Sequence, residues 1–208
     1  MASVRSTITD TAAEPAWQIA ELFPNQGDLG EGDYLFLTDH TRRVAEFIDG
    51  RIEVLAMPTL EHQEIVLFLV NLLRSFIGPR NLGRGIMSPL RLKLGEGKFR
   101  EPDVLFLLQS NISKAGNRFW QGADLVMEVI SEDDPARDLQ TKRSEYAAAG
   151  IGEYWIVDPR NKTISVLKLE NGRYAIHSES TGQRLVHSSL LPGFTADTKA
   201  VFAAGNPA

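Results

Sequence analysis

The sequence contains no cysteine, and this absence excludes two kinds of structure. A chain without cysteine has no disulfide framework and no zinc site with cysteine ligands. No apolar run approaches the roughly 20 residues that a membrane-spanning helix requires. The first residues, "MASVRSTITDTAAEP", lack the apolar core of a secretory signal. Together these absences predict a cytoplasmic protein.

An excess of positive charge is also missing. The chain has 22 lysine and arginine residues against 27 aspartate and glutamate residues, and its net charge is −5. Proteins that bind nucleic acid mainly through their overall field usually carry a basic excess. Any contact with DNA must therefore depend on a local basic patch, on a bound cation, or on both.

Two common catalytic signatures are absent as well. No glycine-rich loop has the spacing that cradles phosphates, and "GEGKFRE" predicts a hairpin turn instead. No serine lies in a nucleophile-elbow pattern. The chemistry must therefore be sought in other residue types.

The order of predicted elements indicates an α/β fold. A flexible N-terminal arm is predicted at 1–15 and a single domain at 16–208. Asp49-Gly50 is a favoured two-residue hairpin turn between two β-prone runs. One predicted helix is capped by Thr59 and ended by Gly78-Pro79, and a second is opened by Asp134-Pro135 and ended by Gly150. Strands are predicted at 89–94, 99–108, 124–131 and 153–158, followed by shorter β segments. This order predicts a mixed central sheet flanked by helices, with an N-terminal hairpin and C-terminal β segments.

Two acidic residues lie in strand-like runs, Asp103 in "REPDVLFLL" and Glu128 in "DLVMEVIS". A buried charge is normally paired or coordinates a metal ion. If the two strands are neighbours, both carboxylates can point to one place, where a cation must separate them. Mg²⁺ prefers oxygen ligands, and the carbonyl oxygen of Val129 could add a third. The pair therefore indicates a divalent metal site.

Simpler interpretations of these acids remain open. Asp103 could be a partly solvated residue at the start of its strand. Glu128 could form a salt bridge with Arg91 or Arg100 across the sheet.

The second predicted helix carries Asp138, Lys142 and Tyr146 at a spacing that places them on one face. Lys142 could lean over the strand ends, where its ammonium group would orient a water or stabilise charge on a phosphate. Alternatively, Asp138 and Lys142 form a surface pair while Tyr146 packs beside them.

The ordered segments resemble one known family. "EFIDGRIEVLAMPTLEHQ", "KFREPDVLFL", "GADLVMEVIS", "RDLQTKRSEYAAAGIGEYWIVDP" and "LLPGF" are similar to the Uma-type restriction endonuclease family of the PD-(D/E)XK nuclease superfamily. The resemblance runs from about Trp17 to Phe202. It implies a restriction-endonuclease-like core with a metal-dependent site.

The resemblance also implies roles for individual residues. Asp103 and Glu128 match the two acidic residues of the superfamily, but Ile130 stands where its lysine usually lies. In this family the following helix is thought to supply the lysine, and Lys142 matches that place. Glu53 resembles an additional acidic residue of the site. His62 and Tyr146 are possible supporting residues.

The expected activity is hydrolysis of DNA phosphodiester bonds with Mg²⁺, for which Mn²⁺ could substitute. A homodimer is expected by analogy, because two copies of one site can cut both strands of a duplex. An alternative function is a catalytically idle nuclease-fold binding module that acts with partner proteins or nucleic acid. A glycosidase using the same carboxylates is a weaker alternative, since no aromatic sugar platform is evident. Candidate contacts to DNA phosphates, which could equally be a solvated hairpin edge, are Arg91, Lys93, Lys98 and Arg100.

Overall fold

A computed structural model of the chain describes residues 26–40, 44–131, 140–182 and 184–206. These residues belong to two compact units, which divide after Leu55. The predicted arm at 1–15 and the predicted helix start at Asp134-Pro135 lie outside the described residues. A single domain over 16–208 therefore stays a prediction.

The first unit contains a helix, α1 (Glu31–Asp39), and a hairpin of β1 (Ala45–Ile48) and β2 (Arg51–Val54). The hairpin is the predicted one, because Asp49 and Gly50 both have positive φ, at 47° and 82°, as a two-residue primed turn requires. A Cβ at Gly50 would lie 2.2 Å from the carbonyl oxygen of Gly27. Close backbone approach therefore also demands glycine at this position.

The second unit contains the remaining elements. Its helices are α2 (Leu60–Ile77), α3 (Lys142–Ala148) and α4 (Thr198–Ala204), with 3-10 turns at Gly78–Arg80 and Gln109–Lys114. Its strands are β3 (Gly83–Met87), β4 (Arg91–Gly95), β5 (Lys98–Arg100), β6 (Val104–Leu108), β7 (Phe119–Trp120), β8 (Leu125–Val129), β9 (Glu153–Asp158), β10 (Thr163–Glu170), β11 (Arg173–Thr181), β12 (Leu185–His187) and β13 (Thr195–Asp197).

A mixed six-stranded sheet forms the centre of this unit, in the order β11-β10-β9-β8-β6-β3. Strands β8 and β9 are parallel, and the other neighbours in the sheet are antiparallel. Strand β4 pairs antiparallel with β5 and parallel with β7, and β12 pairs with β13. The predicted α/β architecture is confirmed.

The inner strands β6, β8 and β9 of the central sheet are buried on both faces. Helix α2 begins after Thr59, whose side chain accepts a hydrogen bond from the His62 amide, and it ends before Gly78 as predicted. Its stripe of Ile65, Leu69 and Leu73 packs on one face, together with residues of α4. On the other face Tyr146 of α3 packs against alternate residues of the same strands. Helices therefore flank the sheet, and β6 and β8 run between them.

The segment 99–108 differs from its prediction as one strand. It divides into β5 and β6, which pair with different neighbours. Pro102 lies between them; it has no N–H to donate to a ladder, so regular pairing stops there. Asp103 consequently lies immediately before β6, where the chain enters the central sheet.

Candidate active site

Asp103 and Glu128 meet at one end of the central sheet. Strands β6 and β8 are neighbours, as predicted, and Val104 pairs with Met127. Continuing this antiparallel register by one residue places Asp103 opposite Glu128. The geometric condition for a shared carboxylate site, adjacent strands with matching positions, is therefore met.

The carboxylate of Asp103 is held by two groups. Its Oδ2 accepts a hydrogen bond of 2.8 Å from the backbone N–H of Val129 and lies 3.2 Å from Nε2 of His62. His62 stands in the first turn of α2, which the Thr59 cap fixes. The start of α2 and the end of β8 thus orient the same oxygen of Asp103.

His62 lies in an electronegative environment. Burial lowers the pKa of its imidazole, but the hydrogen bond to Asp103, the charges of Asp103 and Glu128, and the backbone of Val129 together raise that pKa above 6.5. Its Nδ1 is buried and has no hydrogen-bond partner among the residues that the structure describes. Buried polar atoms of this kind usually meet a water or an ion.

Glu128 is held from the opposite side by α3. Its Oε1 accepts hydrogen bonds from Nζ of Lys142 at 3.0 Å and from the hydroxyl of Tyr146 at 2.5 Å. The exposed fractions of Glu128 and Lys142 are only 3% and 4%, so the ion pair is strongly shielded from water. The predicted common face of Lys142 and Tyr146 is confirmed, whereas Asp138 lies outside the described residues.

Position 130 carries an apolar side chain and no charge. Ile130 is buried and belongs to the apolar cluster that also contains Tyr146. The structure instead brings the ammonium group of Lys142 to Glu128 from the following helix. The side chain of Lys142 is buried, whereas the alternative interpretation expected it at the surface; its pairing with Asp138 stays a prediction, because Asp138 lies outside the described residues.

The predicted basic residues divide into two groups. Arg91, Lys93 and Lys98 lie partly exposed on β4 and β5, and the ammonium group of Lys93 lies 5.4 Å from the ring centre of Phe99. Arg100 is only 2% exposed and makes a forked bond to Glu145. Burial makes Arg100 a poor contact for a phosphate in this conformation.

Glu53 belongs to β2 in the first unit, and its side chain is exposed. Its predicted role as an additional acidic residue stays a prediction.

Another buried acid, Glu153, lies on β9 and was not singled out by the sequence. Oε1 of Glu153 accepts hydrogen bonds from the indole of Trp155 and the hydroxyl of Ser188. Oε2 accepts them from the hydroxyl and amide of Ser189 and from the amide of Leu190. These donors connect β9 to the loop after β12, so Glu153 has a structural role.

The donor set at the sheet end suits a hard cation. Among the described residues, no three or more His, Cys, Asp or Glu side chains are grouped in a way that could hold a metal ion. Mg²⁺ does not require such a group, because it keeps several waters and takes one or two carboxylates. Asp103, immediately before β6, and Glu128, on the adjacent strand β8, are two carboxylates, a number that Mg²⁺ takes. In the part of the chain that the structure describes, no helix is long and apolar enough to cross a membrane.

Comparison with solved structures shows a nuclease-type fold. A protein from Anabaena variabilis, described as "a putative nuclease belonging to DUF820", aligns with a TM-score of 0.67 and 19% sequence identity, covering 83% of this chain and 98% of that one. The profile of the family described as "Uma2: Putative restriction endonuclease" matches residues 32–199. The chain belongs to this family, and the resemblance seen in the sequence is confirmed. No curated protein matches it.

Proposed function

We propose that the protein is a metal-dependent endonuclease that hydrolyses DNA phosphodiester bonds. The observation that carries this proposal is the convergence of Asp103, Glu128 and Lys142 at one end of the sheet. Family membership supports a nuclease. Two acids and an ammonium group are the residue types that metal-assisted phosphoryl chemistry needs.

Mg²⁺, with Mn²⁺ as a substitute, is the proposed cofactor. Asp103, Glu128 and the Val129 carbonyl would hold it. A bound divalent ion would polarise the phosphodiester and acidify a nearby water. The amide of Val129 and the ring of His62 both lie at Oδ2 of Asp103, so they orient that carboxylate before any ion arrives. Such orientation lowers the reorganisation needed during turnover.

Lys142 supplies a positive charge. Ile130, at the position where the superfamily usually has a lysine, carries none. Glu128 accepts a hydrogen bond from the amine of Lys142 and so holds it at the sheet end, while the hydroxyl of Tyr146 donates to the same carboxylate oxygen. From there Lys142 would orient the attacking water or stabilise the charge that develops on the phosphate. His62 and Tyr146 support the two carboxylates and are assigned no proton transfer.

DNA binding in this proposal uses the partly exposed side chains of Arg91, Lys93 and Lys98. Phosphate contacts position a duplex without reading its sequence. We also propose a homodimer, so that two copies of the site can cut both strands. A cytoplasmic location fits a DNA substrate and a chain without cysteine.

Plasmid nicking tests the proposal directly. Supercoiled DNA is incubated with purified protein and Mg²⁺, Mn²⁺ or EDTA, and the wild type is compared with Asp103→Asn and Glu128→Gln. Glu153→Gln is the matched control, because it makes the same change at a buried strand glutamate outside the site. We expect nicking that requires metal and falls at least about 100-fold in both site variants. Equal nicking by the wild type and both site variants would refute the proposal.

The idle binding module remains the alternative function. The pairing of Lys142 with Glu128 favours the enzyme, because it restores the charge missing at Ile130. DNA binding without metal-dependent cleavage, in protein with correct folding, would favour the module.

A further inference from the structure

Helix α3, which the structure describes over Lys142–Ala148, carries both side chains that hold Glu128. The contacts that α3 makes with neighbouring strands therefore help to place Lys142. A lysine on β8 would have been fixed by the sheet itself.

One of these contacts is a buried, forked ion pair. Nε of Arg100 lies 2.8 Å from Oε2 of Glu145, and Nη2 lies 3.0 Å from Oε1. The side chains are 2% and 11% exposed. Two parallel charge-assisted bonds restrain orientation as well as distance. Strand β5 therefore holds α3 at a defined angle.

Helical geometry connects this ion pair to the site. Glu145 and Tyr146 follow Lys142 by three and four residues, the spacings at which helical side chains are neighbours, so each lies beside Lys142 on α3. Beside them, Nη2 of Arg143 donates to the carbonyl oxygen of Tyr174 on β11. Helix α3 is thus tied to β5 and β11 while Lys142 and Tyr146 reach Glu128.

We propose that Arg100 and Glu145 form a positioning clamp that sets α3 so that the amine of Lys142 stands at Glu128. Arg100 then acts through Lys142 on turnover and does not bind a DNA phosphate. The part of the inference that concerns turnover rests on the proposed nuclease function. The part that concerns the placement of Lys142 does not.

Amine labelling tests the placement without any nuclease assay. The folded protein is treated with a limiting dose of a small N-hydroxysuccinimide ester, and modification of Lys142 is followed by peptide mass spectrometry. The variants are Arg100→Met and Glu145→Gln. Arg160→Met is the matched control, because Arg160 makes a similar fork to Asp158 in a turn that follows β9.

We expect labelling of Lys142 to rise by at least about fivefold in both clamp variants, since loss of the fork allows α3 to open locally. The control should label like the wild type. Unchanged labelling of Lys142 in Arg100→Met and Glu145→Gln would overturn the clamp.

A charge-swapped protein covers the case in which Arg100→Met does not fold. Arg100→Glu combined with Glu145→Arg restores an ion pair between the same positions. Recovery of folding and of slow Lys142 labelling in the double variant, but not in Arg100→Glu alone, supports the clamp. Failure of the double variant to recover either property overturns it.

Steady-state kinetics then separate the clamp from a phosphate contact. A clamp predicts that Arg100→Met lowers kcat by about 10- to 100-fold, with KM and the salt dependence of DNA binding unchanged. A phosphate contact predicts an unchanged kcat, a higher KM and a salt slope smaller by about 1, and this result would overturn the clamp. If labelling rises as expected but wild-type protein never cuts DNA with Mg²⁺ or Mn²⁺, the clamp stands and the nuclease function fails.

Discussion

Two buried glutamates on neighbouring strands show how differently a fold can use the same side chain. Glu128 on β8 pairs in register with Ile156, and Glu153 on β9 pairs in register with Leu125. Both are almost fully buried. They lie near opposite ends of the same pair of parallel strands. Both are buried strand residues, and they differ in the groups that hydrogen-bond to them.

Those partners are of different kinds. Glu153 is surrounded by neutral donors, the amides and hydroxyls of one loop and the indole of Trp155. Glu128 instead meets the ammonium group of Lys142 and lies beside Asp103, whose own partner His62 has a raised pKa. Burial of an acid therefore does not by itself indicate a site. The lysine, the second acid and the histidine at the same strand ends are the further features on which the proposed site rests.

Exchanging each glutamate for glutamine tests this comparison most strongly. Glu128→Gln should lower the nicking rate at least about 100-fold, because a proposed metal ligand and the partner of Lys142 lose their charge. Glu153→Gln should leave the rate per folded molecule unchanged and lower the free energy of unfolding by about 3 kcal/mol, since an amide cannot accept from all its donors. Nicking assays and urea unfolding give the two values. The comparison fails if Glu153→Gln is the variant that abolishes cleavage.

A double-mutant cycle tests the ion pair between Lys142 and Glu128. Lys142→Met leaves Glu128 buried without its cation and should lower stability by about 3 kcal/mol, because breaking one side of a buried pair exposes the other charge to a low dielectric. Combining it with Glu128→Gln should recover part of that loss but none of the activity. Urea unfolding of the four proteins measures the coupling. Additive losses would show that Lys142 and Glu128 do not interact.

Much of the framework could be predicted from local sequence. The Asp49-Gly50 hairpin, the Thr59 cap and strand β9 depend on neighbouring residues, and all three agree with the structure. Strand β3 and helix α4 were not predicted, although the side chain of Asp197 caps α4 by accepting a hydrogen bond from the amide of Lys199. The break between β5 and β6 was also not predicted. It lies at Pro102, which has no backbone N–H to donate within a strand.

The sequence could predict which acidic residues belong to the candidate site, but it could not predict the long-range hydrogen bonds of the fold. Asp103, Glu128 and Lys142 were found through strand alternation, helix spacing and the resemblance to a family. Arg100 and Glu145 are separated by 45 positions, and Glu153 reaches Ser189 over 36. Contacts of this length leave no local pattern in one sequence. The sequence analysis considered Arg100 as a partner of Glu128 and did not predict its bond to Glu145.

Ser188→Ala removes one donor from the structural glutamate and has a smaller expected effect. The Ser188 hydroxyl donates to Glu153 and accepts from the amide of Leu191. Its loss should lower the free energy of unfolding by about 1–2 kcal/mol without changing metal-dependent nicking. Thermal unfolding followed by circular dichroism checks the first value. A loss of cleavage at full folding would mean that this loop belongs to the site.

The smallest effect concerns acid stability at the turn after β9. Hydrogen bonds from Arg160 hold the pKa of Asp158 below its ordinary value of 3.8, against the opposing effect of burial. This stabilisation is fully present above the unfolded pKa and is lost as pH falls through the folded pKa. Asp158→Asn should therefore differ from the wild type by at most about 1 kcal/mol above pH ~4. The difference should shrink at lower pH in urea titrations. A difference that grows on acidification would contradict this sign.

Metal binding by the two acids of the sheet end is the central claim, and isothermal titration of Mn²⁺ into protein without DNA measures it most directly. The account predicts one site per chain in the wild type, lost in Asp103→Asn and Glu128→Gln and retained in Glu153→Gln. The same binding heat in the wild type and both site variants, or no binding by the wild type near neutral pH, would contradict it.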